Sequence, residues 1–295
     1  MFDKDQEIRF SCTQCGKCCE KPPRVNFYEM LDLADKFIFQ TAHHTMISYA
    51  EKPLDKSLLE HYQIIGHTIM MPELEASLFY FVDFMPVPLV SYKMCSQLKD
   101  NACQIYGQRP NSCRLSPFSA FYDSQDQWKT VNFFNERVKA NNWNCSFDEK
   151  APIIFKNGDI YSPGLNAIYH QEVTHIREIT DKYVEFLALQ ENNRKNEHFK
   201  ALFDAMQKNA LIITDVLFML QGAIHFNLIT PKIAKDFIIK QKELLEKEIN
   251  YATSLKSKEN LPTSRLYKRM IEDYTKVINT DLFKQIITND FDISN

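Results

Sequence analysis

The sequence predicts an α+β protein with a cysteine-rich module of short strands followed by a mainly α-helical C-terminal region. All eight cysteines lie before residue 146. Near Pro163 the apolar pattern also changes, from short runs typical of strands to a long helical repeat. These two observations divide the chain into a predicted cysteine-cluster domain at 1–162 and a predicted helical domain at 163–295.

The predicted elements of the first half are short and of both types. Apolar residues recur at helical spacing from Tyr28 to Thr45, and a second helix fits 56–65. Aromatic and branched residues predict strands at 78–84 and 87–92, and a hairpin joining 119–122 to 128–134. The pair Asn157-Gly158 suits a type I′ turn and predicts a hairpin over 153–161.

The second half is predicted to be helical throughout. Thr230-Pro231 is a cap followed by a first-turn proline, which predicts that a helix begins there. The predicted helices are 165–190, 199–226, 230–249 and 264–287.

Composition excludes several classes of function. The 295-residue chain carries a net charge of -3, so it has no basic footprint for nucleic acid. Its six glycines are too scattered for a phosphate-cradling loop. The N-terminus is charged and the apolar runs are short, so we expect no secretory signal and no membrane span. These expectations imply a cytoplasmic protein. Thiols stay reduced in the cytoplasm, so metal binding is the leading explanation for eight cysteines.

The string Cys12-Thr-Gln-Cys15-Gly-Lys-Cys18-Cys19 carries the strongest chemical signal. Two residues between thiolates allow a tight turn to aim both sulfurs at one centre, and Gly16 gives the loop freedom to fold back. Three cysteines at this double spacing, with one distant cysteine, are typical of a cubic iron–sulfur cluster. We therefore predict that the first three share a centre with one cysteine from 95–145. Cys18 and Cys19 point in different directions, so they are not expected to serve the same ion.

All eight cysteines are candidate metal ligands, and eight is twice the four ligands of a closed site. Two sites, or one cluster plus a zinc ion, therefore fit. The candidates are Cys12, Cys15, Cys18, Cys19, Cys95, Cys103, Cys113 and Cys145. Two alternatives stay open: Cys145 as a small buried hydrophobe, and Cys18-Cys19 as a redox-active pair.

A second string runs from Cys103 to Phe118 and places Arg109 and Arg114 around Cys113. Four thiolates around zinc or an oxidised cluster leave negative charge, which arginines can offset by hydrogen bonding to the sulfurs. The same guanidinium groups can bind an incoming carboxylate, such as that of S-adenosylmethionine. We therefore predict a cofactor-binding surface formed by Arg109, Arg114 and Tyr106. The alternative is that the arginines brace the cluster or simply face solvent, and that Tyr106 is a core aromatic.

Both strings resemble the CxxCxxCC (YkgJ-type) family of zinc- or iron-chelating cysteine-cluster domains. The resemblance rests on Phe10-Ser-Cys12-Thr-Gln-Cys15-Gly-Lys-Cys18-Cys19 and on Cys103-Gln-Ile-Tyr106, Arg109-Pro110 and Cys113-Arg114-Leu-Ser-Pro117-Phe118, and it spans about 8–150. That family is related to flagellin lysine N-methylases. The resemblance thus implies a 4Fe-4S cluster or zinc, with S-adenosylmethionine and a protein substrate if the chain is a methyltransferase.

Three hypotheses for function follow. The first is a cluster-dependent enzyme that methylates a protein side chain, with catalytic residues that the sequence leaves unassigned. The second is a non-catalytic binding module that zinc stabilises, and the third is a redox or metal-handling protein.

Overall fold

The structure is a computed structural model, and it describes residues 1–20, 23–87, 95–189, 199–201, 203–204, 212–255 and 261–280. It confirms the α+β prediction. The strands are β1 (Ile8–Arg9), β2 (Phe39–Tyr49), β3 (His67–Met71), β4 (Ala76–Pro86), β5 (Leu98–Lys99), β6 (Ala102–Cys103), β7 (Ile153–Lys156), β8 (Asp159–Ile160) and β9 (Ile212–Thr214). The helices are α1 (Phe27–Asp32), α2 (Lys56–Ile65), α3 (Asn111–Leu115), α4 (Gln127–Ala140), α5 (Pro163–Leu189), α6 (Leu217–His225), α7 (Pro231–Ser254) and α8 (Leu261–Asn279).

A four-stranded antiparallel sheet in the order β3-β4-β2-β9 forms the centre of the fold. Strands β2 and β4 pair along their full length, from Phe39 opposite Pro86 to Tyr49 opposite Ala76. Nearly every residue of β4 is buried, because α1 and α5 pack against it. Its run of aromatic and branched side chains suits a strand that is covered on both faces.

Several local predictions are confirmed. Strand β4 contains the predicted 78–84, and α2 has the predicted bounds. In the β7–β8 hairpin, Asn157 and Gly158 have φ angles of 54° and 75°, as a type I′ turn requires. Helix α7 begins after Thr230, whose hydroxyl accepts a hydrogen bond from the Ile233 N–H at 3.3 Å.

The predicted helix from Tyr28 to Thr45 is wrong in its second half. Helix α1 begins with a capping box, in which Asn26 and Glu29 exchange hydrogen bonds, and it ends at Asp32. The chain then enters β2, whose first N–H, that of Phe39, donates to the Gln241 side chain at 2.7 Å. Apolar spacing is compatible with a helix here, but pairing with β4 and β9 satisfies this backbone as a strand.

The predicted hairpin at 119–134 is also wrong, because its second strand is part of helix α4. The buried Gln127 side chain starts this helix by donating to the carbonyls of Ser119 and Tyr122, each at 2.8 Å. These bonds hold the preceding turn and leave residues 128–134 free to form helical bonds. Aromatic residues favour strands only weakly, and this side-chain anchor outweighs the preference.

The predicted continuous helix at 199–226 is interrupted. Residues Ile212–Thr214 form β9, in which Ile213 pairs with Ala42 of β2. The Asp215 carboxylate then accepts the Leu217 N–H at 2.8 Å and begins α6. Most of the predicted strand at 87–92 and the predicted end of the last helix at 281–287 lie outside the described residues.

Both halves of the chain contribute to each hydrophobic cluster. One cluster contains Phe84 and Ile179, and the other contains Phe81 and Ile176. The division into domains at 1–162 and 163–295 stays a prediction. Within the described ranges, every helix is too short or too polar to cross a lipid bilayer.

Candidate metal centre

A cavity of about 460 Å³ gathers the thiols that the sequence assigns to a metal. All seven cysteines whose side chains are described line it: Cys12, Cys15, Cys19, Cys95, Cys103, Cys113 and Cys145. The side chain of Cys18 lies outside the described atoms. Thiols from both cysteine strings therefore face one space.

An antiparallel bridge brings the two ends of the cysteine-rich region together. Ser11 N–H donates to the Ser146 carbonyl at 2.9 Å, and the reverse bond measures 3.1 Å. These pairings place the adjacent residues Cys12 and Cys145 at the same junction. The backbone N–H of Asn144 also hydrogen bonds to the Cys15 thiol. We call Cys12, Cys15 and Cys145 the N-terminal sulfur group.

Hydrogen bonding at this junction favours a thiolate at Cys15. Burial raises the pKa of the Cys15 thiol, but bonds from the Lys17 and Asn144 N–H groups and the Thr13 hydroxyl outweigh it. Together with the Lys17 charge, they lower the pKa below its ordinary value. Metals bind the thiolate form, so Cys15 is prepared to act as a ligand.

A second set of thiols lies around the short β5–β6 hairpin. Cys103 ends this hairpin, and Cys95 precedes it and donates its N–H to the Cys19 carbonyl at 3.1 Å. Burial, with a smaller contribution from Cys103, raises the pKa of Cys95 against a lowering bond from the Gln97 N–H. We call Cys19, Cys95 and Cys103 the hairpin sulfur group.

The described side chains do not form a closed ligand set. No three His, Cys, Asp or Glu residues among them converge closely enough to hold a metal ion. The donor type nevertheless fits, because thiolates suit zinc and iron–sulfur clusters whereas magnesium and calcium prefer oxygen. A closed site would require the sulfurs to lie closer together than they do here.

A comparison with family models matches residues 11–146 to CxxCxxCC, described as a "Putative zinc- or iron-chelating domain". Residues 11–146 are therefore similar to this family. The match begins and ends at the junction of the N-terminal sulfur group, so it covers every cysteine in the chain. It supports metal binding. No curated protein and no solved structure matches the chain.

The CxxC loop requires glycine at Gly16. Its φ angle is +69°, and a Cβ atom there would lie 2.8 Å from the Asn101 carbonyl oxygen and 2.7 Å from Leu98 Cδ1. The backbone oxygen cannot move away without distorting the β5–β6 turn. Gly16 thus allows the CxxC loop to pack tightly against the hairpin that follows Cys95.

We expect Gly16→Ala to reduce the free energy of unfolding by roughly 3 kcal/mol, from the φ penalty and the clash together. Gly158→Ala is the matched control. It also has a positive φ, +75°, but its nearest neighbour would be 3.8 Å away. It should cost about 1 kcal/mol. Urea unfolding of both variants measures the difference, and equal losses would show that packing at Gly16 is unimportant.

The three residues predicted to bind a cofactor separate in the structure. Arg109 and Tyr106 line the cavity, with the guanidinium carbon 3.7 Å from the ring centroid and Nε donating to the Tyr106 carbonyl at 3.0 Å. Arg114 is not among the cavity residues. Its Nη1 donates to the Asn111 side chain at 3.2 Å. The structure thus brings two of the three to the thiols.

Sequence reasoning missed a group of charged residues that line the same cavity. Asp83 and Glu172 are only 5% and 6% exposed, and Arg24 and His175 lie with them. Asp83 accepts from His44 at 2.9 Å, and one Arg24 nitrogen is 3.4 Å from its second oxygen. The only sequence signal is the spacing of Glu172 and His175, three residues apart on one face of a helix.

Proposed function

We propose that the cavity holds an iron–sulfur centre, in preference to zinc, and that this centre serves an enzyme that methylates a protein side chain. One observation carries the metal assignment: seven thiols line a single cavity. A closed zinc site uses four ligands, so the surplus favours a cluster or a second centre. The N-terminal sulfur group and Cys18 are the proposed ligands of the 4Fe-4S cluster. The reducing cytoplasm is the compartment that we propose, since free thiols persist there.

Anaerobic purification followed by elemental analysis tests the metal. We expect a brown protein with iron and acid-labile sulfide in equal amounts and little zinc. A colourless protein with stoichiometric zinc would contradict the iron–sulfur assignment.

Two features of the cavity support a carboxylate cofactor such as S-adenosylmethionine beside the sulfurs. Most of the cavity residues are apolar, which suits an organic ligand. Arg109 uses only its Nε in hydrogen bonds within the described residues, so its two terminal nitrogens are available to a carboxylate. When bound, the cofactor would supply the methyl group.

We expect Arg109→Lys to weaken S-adenosylmethionine binding by about tenfold, because lysine keeps the charge but loses the two-pronged guanidinium bond. Metal content should stay unchanged. Arg114→Lys is the comparison variant and, with its side chain outside the cavity, should affect binding less. Calorimetric titration and metal analysis give the two readouts. Full binding with loss of metal in Arg109→Lys would show that Arg109 only braces the cluster.

A second candidate is a non-catalytic binding module that zinc stabilises. The shortness of the strands near the cysteines favours it, since β1, β5 and β6 have two residues each. Such strands supply few backbone bonds, and a metal would join them. Stoichiometric zinc without S-adenosylmethionine binding would support this module.

A further inference from the structure

We propose that Glu29 and Glu172 form a proton-sharing carboxyl pair that gives the cavity an acid–base site for a nitrogen base. Glu172 exchanges the proton with the bound base, and Glu29 is a positioning residue that acts through it. The site goes beyond the proposed function, because none of its atoms belongs to a candidate metal ligand or to Arg109.

Two asparagines hold the carboxyl groups side by side. Asn111 donates its backbone N–H to Glu29 Oε1 at 2.5 Å and its Nδ2 to Glu172 Oε1 at 3.0 Å. Asn26 repeats this arrangement, with bonds of 3.2 Å to Glu29 Oε2 and 2.5 Å to Glu172 Oε1. Helices α1, α3 and α5 therefore meet at two acids that share the same donors.

No cationic side chain among the described residues hydrogen bonds to either carboxyl group. The guanidinium of Arg114, whose charge acts on Glu29, is bound to the Asn111 side-chain oxygen instead. Two buried carboxylates without a direct cation repel each other, and retaining one proton relieves the repulsion. Burial, and then the Glu172 charge, raise the pKa of Glu29 to about 7, against lowering bonds from Asn111 and Asn26 and the Arg114 charge.

One side of the pair is open to a ligand. Glu172 lines the cavity, and its Oε2 accepts no hydrogen bond from the described residues. An independent observation points to the same space: Asp83, 5% exposed, also lines the cavity. Among the described residues its buried Oδ2 forms no hydrogen bond, only a 3.4 Å ion pair with Arg24. The buried Nδ1 of His175, one helical turn after Glu172, also forms no hydrogen bond with any described residue. Unsatisfied polar atoms in a cavity indicate where the polar groups of a ligand bind.

The proposed step moves one proton and no electrons. The singly protonated pair transfers H⁺ through Glu172 Oε2 to the lone pair of a neutral nitrogen. This leaves both carboxyl groups ionised, with Glu172 paired with the new N–H⁺ group. The reverse step returns the proton. The other titratable or charged side chains in this region are Arg114, Asp83 with Arg24 and His44, and His175.

Binding of 2,6-lutidine to the full-length protein tests the pair, with m-xylene as an isosteric probe without nitrogen. Methyl groups beside the lutidine nitrogen hinder metal coordination but not protonation. We expect a preference of about tenfold for lutidine, because a charge-assisted bond forms only with nitrogen. The preference should be greatest near neutral pH, where the pair holds a proton and lutidine can accept it, and should fall on either side.

Glu172→Gln should abolish the preference for lutidine. Glu29→Gln should move the pH at which this preference is greatest to a lower value, because the Glu29 charge beside Glu172 is gone. Glu185→Gln is the matched control, since it changes an exposed acid on the same helix. Circular dichroism and metal content establish that each variant is folded and loaded. An equal affinity for both probes, or a preference that survives Glu172→Gln, overturns the proposal whatever the metal proves to be.

Discussion

Replacing Cys15 by serine is expected to lower metal affinity by more than about tenfold. Replacing Cys95 by serine in a separate variant is expected to have an effect of the same size. Cys15 represents the N-terminal sulfur group and Cys95 the hairpin sulfur group. If both groups hold one centre, each variant should lose all of the metal. If they hold two centres, each variant should lose only its own share. Elemental analysis after anaerobic purification distinguishes these results.

Ser96→Ala is the control for this experiment, because it changes the residue beside Cys95 and removes only two weak bonds. These are a 3.5 Å bond to the Lys36 carbonyl and a 3.4 Å bond from the Gln97 side chain. It should retain the metal content of the wild type. Full metal content in both cysteine variants would contradict the assignment of the cavity as a metal centre.

Removing the metal is expected to loosen the cysteine strings while the helical core persists. The segments 11–20 and 95–113 are joined by few backbone bonds, such as the one from Cys95 to Cys19. Helices α7 and α8 instead pack through buried residues that include Leu245 and Tyr274. Amide exchange in the two segments should accelerate by at least about tenfold after chelation, which corresponds to 1.4 kcal/mol of opening free energy.

Amides in the paired centre of β2 and β4 and in α7 serve as the internal control and should exchange at their original rates. Unchanged exchange at 11–20 and 95–113 would show that the metal has no structural role. Equal acceleration in α7 would show that the whole chain, rather than the cysteine module, depends on it.

Local signals predicted those parts of the fold that local bonds stabilise. Asn157-Gly158 has the two positive φ angles of its turn, and Thr230-Pro231 begins its helix. These residues act through bonds to near neighbours in the chain, so their effect can be predicted from a short window. The cysteine spacing also predicts a shared metal site. Seven of the thiols line one cavity, and the ligand set stays a prediction.

Specific hydrogen-bonding partners, rather than the apolar pattern, decided the elements that were predicted wrongly. Residues 39–45 form a strand because β4 and β9 pair with them, although their apolar spacing also fits a helix. Residues 128–134 form a helix that the Gln127 side chain anchors to the preceding turn. The apolar or aromatic pattern of a short segment can be read from the sequence, but the partner that its backbone or side chains bond to cannot.

By itself, the sequence determined the α+β class, the helical second half and the cysteine set, because each depends on composition, periodicity or spacing along the chain. Only the tertiary structure decided that Glu29 and Glu172 meet, and that Arg109 but not Arg114 faces the thiols. These groupings depend on how α1, α3 and α5 pack around the cavity. Helix packing depends on side chains that are far apart in the chain, so no motif in the sequence records it.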